Sequence, residues 1–224
     1  VPRFYPAGSR AGDLLTRYGE RLPAVELNNT FYQQPTAAKV AAWRNATPAD
    51  FRFVVKAQRG GSFRALNGNV EPGLPWLTGP YRAFGPQLGC VLFRVPAGVT
   101  RNDERLATLL AAWPADLPLT LEFQDPSWHV DETFAALIGT GAAWCTTDLP
   151  EADTQPTLRR TGPFLYLRLR RDDYDAAAIE AWAGRLQPFL EDGLDAFVFF
   201  RHDEVGRGGE LALELRAAVE RGRR

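Results

Sequence analysis

The chain is short of the residues from which many common sites are built. Its 224 residues hold two cysteines, two histidines and, among 26 basic residues, only two lysines, Lys39 and Lys56. Cys90 and Cys145 each lie inside an apolar strand-like run, which reads as a small buried hydrophobe rather than a disulfide partner or a metal ligand. That usage suits a reducing cytoplasm, the expected location. His129 and His202 are too few for a multi-zinc nuclease barrel. No run reaches the roughly 20 apolar residues of a membrane span, and the opening V-P-R-F-Y-P has no apolar signal core. Neither G-x-G-x-x-G nor G-x-x-x-x-G-K-[ST] occurs, so the nucleotide fingerprints of doubly wound sheets are missing. No G-x-S-x-G occurs either, and Ser127 beside His129 is too local to count as a triad. A net charge of −1 supports neither a nucleic-acid partner nor an anionic membrane, while leaving room for a local basic patch.

What is present is a hydrophobic content of 45%, enough for a sizeable core, and a regular alternation of element types. Strand-like runs fall at 24–31, 51–57, 90–96, 118–124, 142–148, 164–170 and 195–201. Helical patterns fall at 11–22, 36–46 with Thr36 as cap, 101–113, 131–139, 175–191 and 207–221. Residues 60–80 read as a Gly/Pro-rich stretch that leads into a short helix. Seven strands, several almost continuously apolar and most separated by helices, predict a parallel sheet covered by helices. Without a phosphate turn after the first strand, a barrel is preferred to a doubly wound sheet. The whole chain, 1–224, is expected to form one domain. A barrel further predicts that the polar residues closing its strands meet on one face.

Three such residues stand in apolar, β-rich segments where an ionisable group is costly unless partnered: Glu26 in V-E-L-N-N-T-F-Y, Lys56 in F-V-V-K and Glu122 in L-E-F-Q-D-P-S-W. One shared site is the simplest reason for all three. Lys56, desolvated at a barrel mouth, suits proton transfer or a Schiff base; a salt bridge to Glu26 or Glu122 is the competing reading. The two glutamates could divide general-acid and general-base work. Strand alternation puts Glu26, Asn28 and Thr30 on one face, with Tyr32 beyond, as a hydrogen-bonding wall around a polar ligand; satisfying loop backbone groups is the plainer use of Asn28 and Thr30. Trp128 reads either as a stacking platform or as a plug beside Phe31 and Tyr32. Asp148 closes its strand as a site acid or as turn chemistry. Arg168 and Arg170 alternate with apolar residues and share a face, as an anion clamp needs, or else pair with the glutamates. No cofactor is expected, although a single Mg or Mn on Glu26, Glu122, Asp148 and His202 is chemically reasonable for hard oxygen ligands.

Taken in order, E26-L-N-N-T-F-Y32, F53-V-V-K56, V91-L-F-R-V-P96, E122-F-Q-D-P-S-W128 and Y166-L-R-L169 resemble the hallmarks of the YecE-like family, the domain of unknown function 72. The resemblance spans nearly the whole chain and implies a TIM-type barrel. It also implies a first strand, carrying a G-T-S-G-W-type segment ahead of Phe4 to Pro6, that this sequence does not contain. A chain that opens on Val and has no Met is therefore expected to be N-terminally truncated relative to the family. Arg94 stands where the family commonly has glutamine, Arg170 where it often has histidine, and Arg201-His202 where it tends to asparagine.

The functional expectation is acid/base chemistry of the hydrolase or lyase type on a small polar, anionic ligand at the C-terminal barrel mouth. Glu26, Lys56 and Glu122 are its centre, and Asn28, Thr30, Tyr32, Trp128, Asp148, Arg168, Arg170 and His202 its binding residues. The alternative is a non-catalytic module that binds nucleic-acid phosphate or a protein partner.

Overall fold

The computed structural model describes residues 4–151, 155–201 and 205–222. Seven strands run in one order, β1 (Ala24–Leu27), β2 (Arg52–Lys56), β3 (Leu88–Val95), β4 (Leu119–Phe123), β5 (Ala143–Asp148), β6 (Phe164–Leu169) and β7 (Asp195–Phe200). Every neighbouring pair is parallel. Parallel neighbours need crossovers, and α1 (Leu14–Gly19), α2 (Ala37–Asn45), α3 (Arg59–Leu66), α4 (Gly73–Thr78), α5 (Asp103–Ala112), α6 (Asp131–Thr140), α7 (Ala176–Glu191) and α8 (Arg207–Gly222) supply the surrounding helical layer. The sheet curls into a nearly closed TIM-type barrel. β1 and β7 are its two edges and share no ladder. Among the described residues no helix is long and apolar enough to cross a membrane.

The core has two parts because each strand is buried on both faces. Outward-facing residues such as Phe53, Val55, Phe93, Leu121 and Trp144 pack under the helices, and Leu165, Leu167 and Leu169 pack with Trp182 of α7 and Leu215 of α8. Inside the barrel, Val54, Cys90, Leu92, Ala143, Cys145 and Tyr166 form a smaller cluster against Phe197 and Phe199. Gly89 makes room there: a Cβ on it would lie 3.0 Å from the Phe197 ring. Both cysteines are free and buried, and burial pushes the Cys90 thiol up to about 12, which leaves it inert as a nucleophile.

All seven strands fall within the runs predicted for them, apart from small shifts at their ends. Two differences matter. The first strand stops at Leu27, because the chain enters a 3-10 turn at Asn29–Phe31 in which the Phe31 amide donates to the Asn28 carbonyl at 3.2 Å. The stretch 60–80, for which the Gly/Pro-rich composition gave no helix, holds α4 and most of α3. Gln58 caps α3 by accepting from the Gly61 amide at 2.7 Å, and Gly61 lets the two helices touch, since a Cβ there would stand 2.8 Å from Leu77.

Thr36 caps α2 as expected, accepting from the Lys39 amide at 3.2 Å, and Asn102 caps α5 by accepting from the Arg105 amide at 2.9 Å. Replacing Asn102 with alanine is expected to lower stability by about 1 kcal/mol, with glycine costing less at the same position. Chemical denaturation of the two variants checks this.

Candidate functional site

The site lies where the inward-facing residues of the strands change from apolar to ionisable near their C-terminal ends. Two rows of the sheet define it: Arg94 of β3 is in register with Glu122 of β4, and Thr147 of β5 with Arg168 of β6. Glu26 comes from β1 and Lys56 from the last position of β2.

Arg168 is the hub. Its Nη1 donates to Glu122 Oε1 at 2.7 Å and Oε2 at 2.9 Å, and its Nη2 donates to Glu26 Oε1 at 2.9 Å. Arg168 and Glu122 are both buried. Burial alone would lower the Arg168 pKa, but Glu26 and Glu122 outweigh it and the net direction is up. Tyr166, two residues earlier on the same face of β6, donates its hydroxyl to Glu26 Oε2 at 2.7 Å, and Thr147 donates to Glu122 Oε1 at 3.3 Å. Arg94 Nε stands 3.0 Å from Glu122 Oε2, outside hydrogen-bonding alignment, and the buried Nε atoms of Arg94 and Arg168 have no acceptor among the described residues.

With both carboxylates claimed by arginine, Lys56 has none among the described residues. Its Nζ donates to the neutral Asn28 Oδ1 at 3.0 Å and lies 4.3 Å from the centre of the Phe31 ring. Burial lowers its pKa first, and the nearby Arg168 and Arg94 charges add to that against the opposing pull of Glu26 and Glu122; the result is about 8 instead of 10.5. The salt-bridge reading of Lys56 is thus overturned by geometry: Arg168 occupies the glutamates. Arg170, half-buried, is lowered by burial and then by Arg168.

The glutamates, Lys56, Asn28, Arg168 and Arg170 therefore belong to one region, and a cavity of about 780 Å³ along the β1–β7 opening includes Glu26, Asn28, Arg168 and Arg170 in its wall. Its remaining wall is largely apolar, with Leu22, Val25 and Phe199 among the residues that face it.

Other expected residues lie elsewhere. Thr30 is not on the strand face shared by Glu26; its buried hydroxyl sits 2.7 Å from the Leu27 carbonyl and 2.8 Å from the Lys56 carbonyl, where it ties the turn to β2. Tyr32 is 68% exposed and meets Phe31 edge-on. Trp128 is neither platform nor plug: it stacks on Phe123 at 4.6 Å in the outer core and donates its indole N–H to the Val99 carbonyl at 2.7 Å. Asp148 falls on the outward face of β5, where it accepts from Arg171 Nε at 3.0 Å and from the Tyr174 hydroxyl at 2.8 Å. His202 lies outside the described residues. Among the described residues no three His, Cys, Asp or Glu side chains stand close enough to hold a metal ion, and Asp148, turned outward, is the member that the suggested Mg or Mn set lacks.

Sequence reasoning passed over Tyr166, Thr147 and Arg94 as site residues. The alternation that paired Arg168 with Arg170 extends back to Tyr166, so that signal was present; Thr147 needed the inward parity of β5.

The family model described as "Protein of unknown function DUF72" matches residues 1–224. The chain is a DUF72 family protein. Among its relatives, "UPF0759 protein YunF" of Bacillus subtilis (strain 168) is 30% identical over 261 aligned positions, covering 95% of this chain and 89% of the relative. Two solved structures agree in fold. A DUF72 family protein from Thermotoga maritima MSB8 superposes with a TM-score of 0.82 at 20% identity, over 97% of this chain and 93% of that one. Another from Enterococcus faecalis V583 gives 0.76 at 21% identity, over 92% and 93%.

Proposed function

We propose that the barrel mouth binds a small polar, anionic molecule and performs acid/base chemistry of the hydrolase or lyase type on it, with Lys56 as the group that takes and returns the proton. The observation that carries this reading is a buried lysine with no carboxylate partner among the described residues, held by the neutral Asn28, set near Arg168 and Arg94 and lowered to about 8. A group poised near the working pH combines a useful fraction of free base with the strength to accept a proton. The cationic surplus among the described residues supports an anionic ligand. Among the described residues Lys56, Arg94, Arg168 and Arg170 stand with two carboxylates, Glu26 and Glu122, and two buried guanidinium N–H groups make no hydrogen bond. Glu26 and Glu122 hold Arg168 in place and bring carboxylate oxygens to the proton-transfer site.

The reading predicts that carboxylates or sugar phosphates raise the melting temperature. A ligand at 100 times its Kd adds about 2.7 kcal/mol, or several degrees for a chain of this size. Arg170→Gln should abolish the shift. Stabilisation by short oligonucleotides alone, falling steeply with salt, would instead favour the nucleic-acid binding module, and no stabilisation by small anions would remove the proposed site.

A further inference from the structure

We infer that Lys56 is a covalent nucleophile which forms a Schiff base with the carbonyl group of an anionic oxo compound, a 2-oxo acid or its phosphate-bearing equivalent, whose charge is received by Arg170. The inference rests on the small-anion site proposed above, gives Lys56 a nucleophilic role in place of the proton-transfer one, and names the substrate class.

Four observations meet at this residue. First, among the described residues the charged groups that face Lys56 are Glu26, Glu122, Arg94 and Arg168, and both carboxylates are already partnered, Glu122 by two nitrogen–oxygen contacts to one Arg168 nitrogen and Glu26 by Arg168 and Tyr166. A lysine kept as a permanent cation would be paired with one of them. Second, Asn28 Oδ1 accepts one Nζ proton and fixes the direction of the amine without supplying a negative charge. Third, the Phe31 ring covers one side of Nζ and keeps water from it; such desolvation frees an amine lone pair and works against the attraction that the ring face offers the ammonium. Fourth, the anchor for an acid group is present separately from the nucleophile: Arg170, half-buried, faces the cavity whose wall includes Asn28, the residue that holds Nζ.

The step balances without an oxidant or a reductant. The Nζ lone pair adds to the carbonyl carbon as the carbon–oxygen π bond breaks, and one proton passes from nitrogen to oxygen. The carbinolamine oxygen takes a further proton from solvent and leaves as water, so that the carbon–nitrogen double bond carries the positive charge. Such an iminium withdraws electrons from the neighbouring carbon, which is what a lyase acting next to a carbonyl requires.

The chain suits a direct test because it has only two lysines, and Lys39 sits on the exposed face of α2. Protein is incubated near pH 8 with glyoxylate and cyanoborohydride, which reduces any imine to a stable secondary amine; peptide mass mapping then assigns the adduct and separates it from the α-amine. Acetaldehyde serves as the uncharged probe. The expected result is labelling of Lys56 at least about tenfold faster than Lys39 with glyoxylate, with that preference lost in Arg170→Gln for glyoxylate but kept for acetaldehyde. Lys56→Arg should abolish the adduct while leaving the melting temperature within a few degrees, which separates loss of the nucleophile from loss of the fold. Equal labelling of the two lysines, in a protein that small anions still stabilise, would overturn the covalent step and leave the anion site standing. A Lys56 preference of the same size with both probes, unchanged for glyoxylate in Arg170→Gln, would overturn the assignment of an anionic substrate. Failure of both stabilisation and labelling would remove the site and the nucleophile together.

Discussion

Replacing Arg168 with methionine is expected to destabilise the protein by about 3–5 kcal/mol, because it leaves two inward-facing carboxylates, Glu26 and Glu122, without their shared cation. On a chain of this size that loss corresponds to a fall in melting temperature of roughly 10 °C or more. The physical cause is charge burial rather than lost packing, since the methionine stem replaces most of the arginine volume. Converting both glutamates to glutamine in the Arg168→Met background should therefore recover a large part of the loss. Arg168→Lys is not expected to rescue it. One ammonium cannot reproduce the fork in which Nη1 meets both oxygens of Glu122 while Nη2 reaches Glu26. A loss below about 1 kcal/mol in the methionine variant, as for an exposed pair, would mean that the triad is solvated and not structural.

The second large effect is a stabilisation. Lys56 has a folded-state pKa of about 8 against an ordinary 10.5, so folding below pH 8 must bury a proton-bearing amine that the unfolded chain keeps in water. Between pH 8 and 10.5 the folded protein has released that proton and the unfolded chain has not. The unfolded state binds more protons there, so stability rises with pH across this window, and the cost is present in full below it. Lys56→Met removes the cost. The variant is expected to be more stable than the wild type at pH 7 by about 1–2 kcal/mol, less than the full shift implies because the half-buried Arg170 leaves the mouth open to water. The advantage should fade to nothing by pH 10.5. Tyr166 and the other titrating tyrosines act in both proteins and cancel in the difference, so paired denaturation curves at pH 7, 9 and 10.5 isolate Lys56. An advantage that is constant across pH would point to packing against Phe31 and not to the proton.

A residue whose chemistry clashed with its local surroundings was legible in the sequence; which partner resolved the clash was not. Glu26, Lys56 and Glu122 stood out because each interrupts an apolar run, and the structure does gather them at one end of the barrel. The identity of the pairs depends on closure. Arg168 reaches Glu26 across 142 residues of sequence, and only the curl of the sheet that brings β6 near β1 makes Arg168, not Lys56, the partner of both glutamates. Parity was the second difficulty. In a sheet buried on both faces, apolar residues do not mark which side faces the barrel axis. Asp148 was accordingly credited to the mouth, although it shares the outward face of β5 with Trp144 while Cys145 and Thr147 point inward. Thr30 was misplaced for a local reason, the turn that ends β1 after four residues. Trp128 illustrates a third limit of local reading: a tryptophan beside a strand end can face the mouth or the helices, and the stacking on Phe123 that settles it is tertiary.

The account turns on the state of one amine, and the presence of only two lysines makes that state directly observable. Nuclear magnetic resonance of protein labelled at lysine Cε should show two side-chain signals, with Lys39→Arg identifying which belongs to Lys56. Followed from pH 6 to 11, the Lys56 signal is predicted to titrate near 8. If it titrates near 10.5, the amine is an ordinary exposed or ion-paired cation, and both the proton-transfer reading and the Schiff base lose their foundation.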